Sequence, residues 1–107
     1  MRILFDEGTP APLRESLGRH TVDTAFEQGR SSLRNGDLLD MAEAEGFEVL
    51  VTTDQRLRYQ QNLANRKIAI LVLTTTSWPR IQQQMSAVIG AIDSLTAGEY
   101  RELPFAR

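Results

Sequence analysis

Glu48-Val49-Leu50-Val51-Thr52-Thr53-Asp54 is a short apolar run that ends in two hydroxyls and a carboxylate. A strand buried on both faces reads as a continuous apolar run, not as an alternation. Buried in that way, it puts Asp54 at the carboxyl end of a central strand, the edge where open parallel sheets bind ligands. The chain opens on the same pattern, with Ile3-Leu4-Phe5 running into Asp6-Glu7. Two apolar runs, each delivering an acid at its end, point to a metal site.

The segments on either side fit that placement. Upstream, Asn35-Gly36-Asp37 stops a loop and starts a helix with Leu38, Leu39 and Ala42 as its buried stripe; Gly46 follows as a C-terminal cap. Downstream, Arg56 to Ala64 is helix-like but polar, anchored by Leu57 and Leu63. Ile68 to Leu73 is the most apolar run in the chain and reads as a fully buried strand, ended by Thr74-Thr75-Thr76. Ser77-Trp78-Pro79 starts a helix. Ile81, Met85, Val88, Ile89, Ile92 and Leu95 then mark one long amphipathic helix closed by Gly98. Tyr100 to Leu103 alternates and reads as an edge strand, which Pro104 ends.

Toward the other end, Arg2 to Phe5 is a strand. Pro10 and Pro12 suit the first turn of a helix running to about Leu17, with Leu13 and Leu17 on one face. Thr21 to Ala25 is a short β-branched strand near an edge, and Glu27 to Asn35 a loop. Strands and helices thus alternate along the chain. The prediction is one α/β domain over residues 1–107, a three-layer sandwich whose mostly parallel sheet of four to five strands is flanked by helices.

Composition narrows the function classes. The 107 residues are 41% hydrophobic and 24% charged, an ordinary globular balance. With no cysteine, disulfides and thiolate metal sites are excluded. No apolar run approaches the length of a membrane span. Met1-Arg2-Ile3 leads directly into a strand and acids and does not read as a signal peptide, so a cytoplasmic location is expected. A net charge of -2 argues against non-specific coating of nucleic acid, but not against a nuclease whose acids cluster at one spot.

Asp6 and Asp54 follow strands that, as neighbours in a parallel sheet, end side by side. A helix leading out of the second strand would bring Asp37 to the same crevice, and three carboxylates could then converge. Without cysteine or a histidine pair, oxygen ligands favour Mg²⁺ or Mn²⁺ over Zn²⁺. Such an ion can bind a phosphodiester oxygen and orient a water. Each acid also has a purely structural reading. Asp37, with Asp40 three residues on, suits a helix N-cap; Asp54 can cap the next helix; Asp6 can simply end its strand. Arg30 and Arg34 precede Asp37, and Arg56 and Arg58 follow Asp54, placed to hold a phosphate backbone. Thr52, Thr53, Thr74 and Thr75 end two strands at the same edge. His20, the single histidine, sits in a turn and reads as structural. A phospho-accepting receiver needs a lysine at a later strand end; here Lys67, the only lysine, stands at a strand start.

Asp37-Leu38-Leu39-Asp40-Met41-Ala42-Glu43-Ala44-Glu45-Gly46, followed by Val49-Leu50-Val51-Thr52-Thr53-Asp54, resembles the later half of the PIN-domain motif. There an acid starts a helix, and a strand ends in threonine, any residue, aspartate. Leu4-Phe5-Asp6-Glu7 resembles that superfamily's first strand and first aspartate. Nearly the full length looks like the short PIN-like proteins, compact relatives of VapC-type toxins. The resemblance implies a metal-dependent ribonuclease, the toxin of a toxin–antitoxin pair, cleaving single-stranded RNA with Mg²⁺ or Mn²⁺. It assigns the acids to Asp6, Asp37 and Asp54, with RNA as substrate and an antitoxin protein as partner, and leaves a homodimer open. The pattern's further glutamate has no clear counterpart. Glu7 adjoins Asp6 and is taken as an additional ligand; Glu27 lies in the interval where the family places its own. Without that ligand, the alternative is a catalytically degenerate module that binds RNA or a protein without cutting.

Overall fold

Side-chain alternation along the strands divides the core in two. The protein is described from a computed structural model, which covers residues 1–29, 35–60 and 63–105. Strands β1 (Arg2–Phe5), β2 (Thr21–Thr24), β3 (Val49–Thr52), β4 (Ala69–Leu73) and β5 (Tyr100–Leu103) form one sheet in the order β2-β1-β3-β4-β5. Every pairing is parallel, with Phe5 opposite Val51 and Val51 opposite Leu71. The five strands are those the sequence predicts, and the all-parallel sheet flanked by helices bears out the α/β expectation.

Ile3, Phe5, Val49, Val51, Ala69, Leu71 and Leu73 point to one face and pack with Leu13, Leu17, Ile81, Val88, Ala91 and Ile92. Leu4, Leu50, Ile70 and Val72 point to the other and pack with Leu38, Leu39, Met41, Ala42 and Leu57. One face is therefore covered by a 3-10 helix (Ala11–Ser16), α3 (Trp78–Gln83) and α4 (Met85–Ser94). The other is covered by α1 (Asn35–Ala44) and the single turn α2 (Leu57–Gln60). This is why β3 and β4 read as unbroken apolar runs: both of their faces are covered, and each buried aliphatic side chain contributes roughly 1.5–3 kcal/mol. The edge strands β2 and β5 are only half-buried on most residues, which explains their weaker signal.

The chain moves outward from β1 to β2 over the first face, then back across and onward to β3 and β4 over the second. The step from β4 to β5 continues in that same direction but passes over the first face. Its hand is therefore opposite to that of the other three crossovers, against a strong general preference for the right-handed form. No helix of this last connection covers β5 on the second face. There Tyr100, Glu102 and Arg58 form a polar cluster, with the Tyr100 hydroxyl donating to Glu102 at 2.9 Å and Arg58 lying 3.8 Å from Glu102.

Three helical expectations are revised. The segment after Pro10 is a 3-10 helix, not an α-helix: Leu13 N–H bonds the Pro10 carbonyl, and Pro10 offers no side-chain cap. The long C-terminal helix is two, broken at Gln84 (φ -121°, ψ 34°), whose N–H turns back to the Ile81 carbonyl at 3.0 Å. The apolar spacing survives the break because both pieces keep their buried residues on the same layer. Finally, α1 begins at Asn35, so Asp37 lies in its first turn and is not its cap. Gly46 adopts φ +82° just beyond α1, as a C-terminal glycine should. Among the described residues, no helix is long and apolar enough to cross a membrane.

Candidate active site

The direction of the chain reverses between β1 and β3: one connection leaves β1 toward β2, and the next returns past it to β3. A crevice opens at the carboxyl ends of strands on either side of such a reversal. Asp6-Glu7-Gly8-Thr9 leaves β1 at this point, and Thr53-Asp54 leaves β3.

The parallel register, with Phe5 opposite Val51, places Asp6 beside Thr52. The Asp6 N–H extends the ladder by one bond to the Val51 carbonyl at 3.1 Å. Its side chain is then held by two buried hydroxyls. Thr9 donates to Oδ1 at 2.8 Å, and Thr52 donates to Oδ2. The Thr9 hydroxyl also lies 2.9 Å from the Val51 carbonyl, so its one hydrogen has two acceptors. Thr52 in turn accepts the Asp54 N–H at 3.1 Å. One threonine thus ties the two strand-end aspartates into a single chain of bonds.

Burial raises the Asp6 carboxyl above its ordinary 3.8, and the hydrogen bonds from Thr52, Thr9 and the Gly8 and Thr9 backbone only partly offset it. No cationic side chain contributes among those causes. The donors that hold this carboxylate are the Thr9 and Thr52 hydroxyls and the backbone of Gly8 and Thr9. Asp54 is half-buried, and its Oδ1 accepts the Arg56 N–H at 2.9 Å, the turn that starts α2. This is an Asx turn ahead of α2; the helix starts three residues on, at Leu57, so Asp54 is not its N-cap residue.

Gly8 packs closely against the end of β3. A Cβ there would stand 2.5 Å from the Thr53 hydroxyl oxygen and 3.9 Å from Asp6 Oδ1. The turn after β1 therefore lies directly against the end of β3, with Thr53 filling the place of a side chain.

The predicted convergence of three carboxylates does not form. Among the described residues, no three Asp, Glu or His side chains are grouped so as to hold a metal ion. Asp37 is exposed on the first turn of α1, where a negative charge favours the helix dipole. Glu7 is exposed but lines a cleft of about 490 Å³ together with Asp6, Thr9, Ala11, Thr24 and Phe26. Glu27 does not line this cleft but the adjoining one, with Pro12 and Arg14. It pairs with Arg14 and accepts the Thr24 N–H, and Arg14 above all holds its carboxyl down at about 2.

Thr53, a predicted strand-end hydroxyl, is half-buried at the site, and Arg56, predicted to hold a phosphate backbone, is exposed beside Asp54. Arg58 lies over the Tyr59 ring, 4.7 Å from its centroid, and is drawn toward Glu102 on β5. Arg30 and Arg34 fall outside the described residues. His20 is structural, with Nε2 3.2 Å from Asp93 on α4. Trp78 packs against the core. Two residues of the site escape sequence reasoning. Thr9 looks like turn punctuation, and Phe26 is a lone aromatic in a segment without periodicity.

Comparison with family models, curated proteins and solved structures finds no match to this chain.

Proposed function

We propose that the chain is a PIN-like metal-dependent ribonuclease of the cytoplasm, the toxin component of a toxin–antitoxin pair. The observation that carries the reading is the hydrogen-bonded chain from Asp54 through Thr52 to Asp6 at the sheet's reversal point. Two aspartates at adjoining strand ends suit Mg²⁺ or Mn²⁺, which take one or two carboxylates and complete their shell with water and substrate phosphate. Asp6 and Asp54 would hold the ion, with Glu7 near Asp6 as a further oxygen donor. A bound ion polarises a phosphodiester oxygen and lowers the pKa of a coordinated water.

The chain's own residues do the rest. Thr9 and Thr52 fix both oxygens of Asp6, so its carboxylate is oriented before anything binds. Thr52 couples that orientation to the backbone of Asp54. Arg56, exposed next to Asp54, suits a phosphate of the RNA backbone.

The test is cleavage of single-stranded RNA with Mg²⁺ or Mn²⁺, with and without a chelator. Metal-dependent cleavage should disappear in Asp6→Asn and Asp54→Asn, both still folded. Equal cleavage by wild type and Asp54→Asn would falsify the reading. The absence of a three-acid group among the described residues favours a second reading, a degenerate module that binds RNA or a protein partner without turnover. Tight RNA binding with no metal-dependent product would select it.

A further inference from the structure

Phe26 is the most exposed large hydrophobic side chain among the described residues, at 79% of its full accessibility. It lines the same cleft as Asp6 and Glu7. A second cleft, containing Pro12 and Arg14, adjoins the first and shares Ala11, Thr24 and Phe26 with it. The ring therefore stands at the boundary between the carboxylate cleft and its extension.

The turn that carries the ring is built. Ala25 is buried and its N–H continues the ladder to the Phe5 carbonyl at 2.8 Å, which leaves the next residue facing out. Thr24 and Glu27 exchange bonds, Glu27 N–H to the Thr24 hydroxyl at 3.1 Å and Thr24 N–H to the Glu27 carboxylate at 3.0 Å. Arg14 then clamps Glu27 from the 3-10 helix, at 3.0 Å through one of its two bonds. An exposed phenyl ring on so fixed a turn has no part in the core.

We propose that Phe26 is a substrate-binding residue that stacks an unpaired base of RNA next to the phosphate that an ion on Asp6 and Asp54 would bind. This rests on the ribonuclease reading of the Asp6–Asp54 site. An aromatic face takes any base, gives up little freedom because only two side-chain torsions are fixed, and works only on a strand whose bases are unpaired. A base on Phe26 positions the adjoining backbone at the carboxylate cleft and admits single strands in preference to duplex.

The test compares wild type with Phe26→Ala, Phe26→Leu and Phe26→Trp, using a fluorescein-labelled single-stranded RNA 10-mer. Affinity is read by anisotropy with a chelator and with Mg²⁺, and cleavage by KM and kcat. Phe26→Ala should weaken affinity and raise KM roughly 5- to 150-fold, the range for one stacked base, with kcat and melting temperature little changed. Phe26→Leu should behave as Ala, and Phe26→Trp as wild type, its added indole emission quenched by RNA. Unchanged affinity and KM in Phe26→Ala overturns the proposal, as does full rescue by leucine. The two readings separate cleanly. Phe26-dependent binding without metal-dependent cleavage keeps the stacking and removes the nuclease. Asp6-dependent cleavage indifferent to Phe26 does the reverse. A wild type that binds no RNA, or variants that lose only a protein partner, ends the stacking proposal.

Discussion

The hydroxyl of Thr52, 1% exposed, donates to the carboxylate of Asp6 across the β1–β3 pair while accepting the backbone N–H of Asp54. A single oxygen at the end of the central strand thereby holds one carboxylate oxygen of Asp6 and the backbone of Asp54. Removing it leaves a carboxylate oxygen and an amide without this partner, and a buried group so stranded costs about 1–3 kcal/mol. Thr52→Val, nearly isosteric, should lower stability by about that amount in chemical denaturation, and Thr52→Ser should largely restore it. Equal stability of the valine variant would show that the bonds are not formed.

Asp6 predicts an unusual pH dependence. Its folded-state pKa lies above the ordinary 3.8, so from 3.8 up to that raised value the folded protein keeps a proton the unfolded chain has released. This contribution to stability is complete below 3.8 and is lost as pH rises through the folded value. Asp6→Asn removes the charge. The amide nitrogen can donate to Thr9, whose hydrogen turns to the Val51 carbonyl, while the amide oxygen accepts from Thr52. Asp6→Asn should therefore melt no lower than wild type at neutral pH, with any advantage shrinking as pH falls toward 3.8. A marked loss of stability at neutral pH in the asparagine variant would contradict this account.

Gly8 should be sensitive to the smallest addition. A Cβ placed 2.5 Å from Thr53 Oγ1 must displace that side chain or the turn. Gly8→Ala should cost about 1–3 kcal/mol, as overpacking does, and Thr53→Ala in the same chain should recover most of it. Additive losses in the double variant would locate the cost elsewhere.

On the proposed metal-site reading, Mg²⁺ should stabilise the folded state logarithmically in its concentration above the dissociation constant. At Mg²⁺ concentrations a hundredfold above the dissociation constant, wild type should gain about 2.7 kcal/mol, seen as a rise in melting temperature that a chelator reverses. Asp6→Asn and Asp54→Asn should gain little. A rise of equal size in all three proteins would assign it to ions bound away from the strand ends.

The unbroken runs Val49-Leu50-Val51 and Ile68 to Leu73 announced central strands because burial on two faces removes every polar position. From these runs and the periodicity between them followed the α/β class, the five strands and the placing of Asp6 and Asp54 at strand ends. These are local quantities, written in adjacent residues. The bond between Thr52 and Asp6 depends on register, which aligns Phe5 with Val51 across 46 positions of chain separating 6 from 52. That no three acids group together among the described residues, and that Phe26 stands exposed after Ala25 pairs with Phe5, likewise follow from how distant segments pack. No spacing along the chain encodes those relations. The amino-acid order by itself determined that acids stand at the ends of buried strands. Tertiary structure alone decided that the Asp6 carboxylate and the Asp54 backbone share Thr52, because packing across the sheet, not distance along the chain, brings these groups within reach of one another.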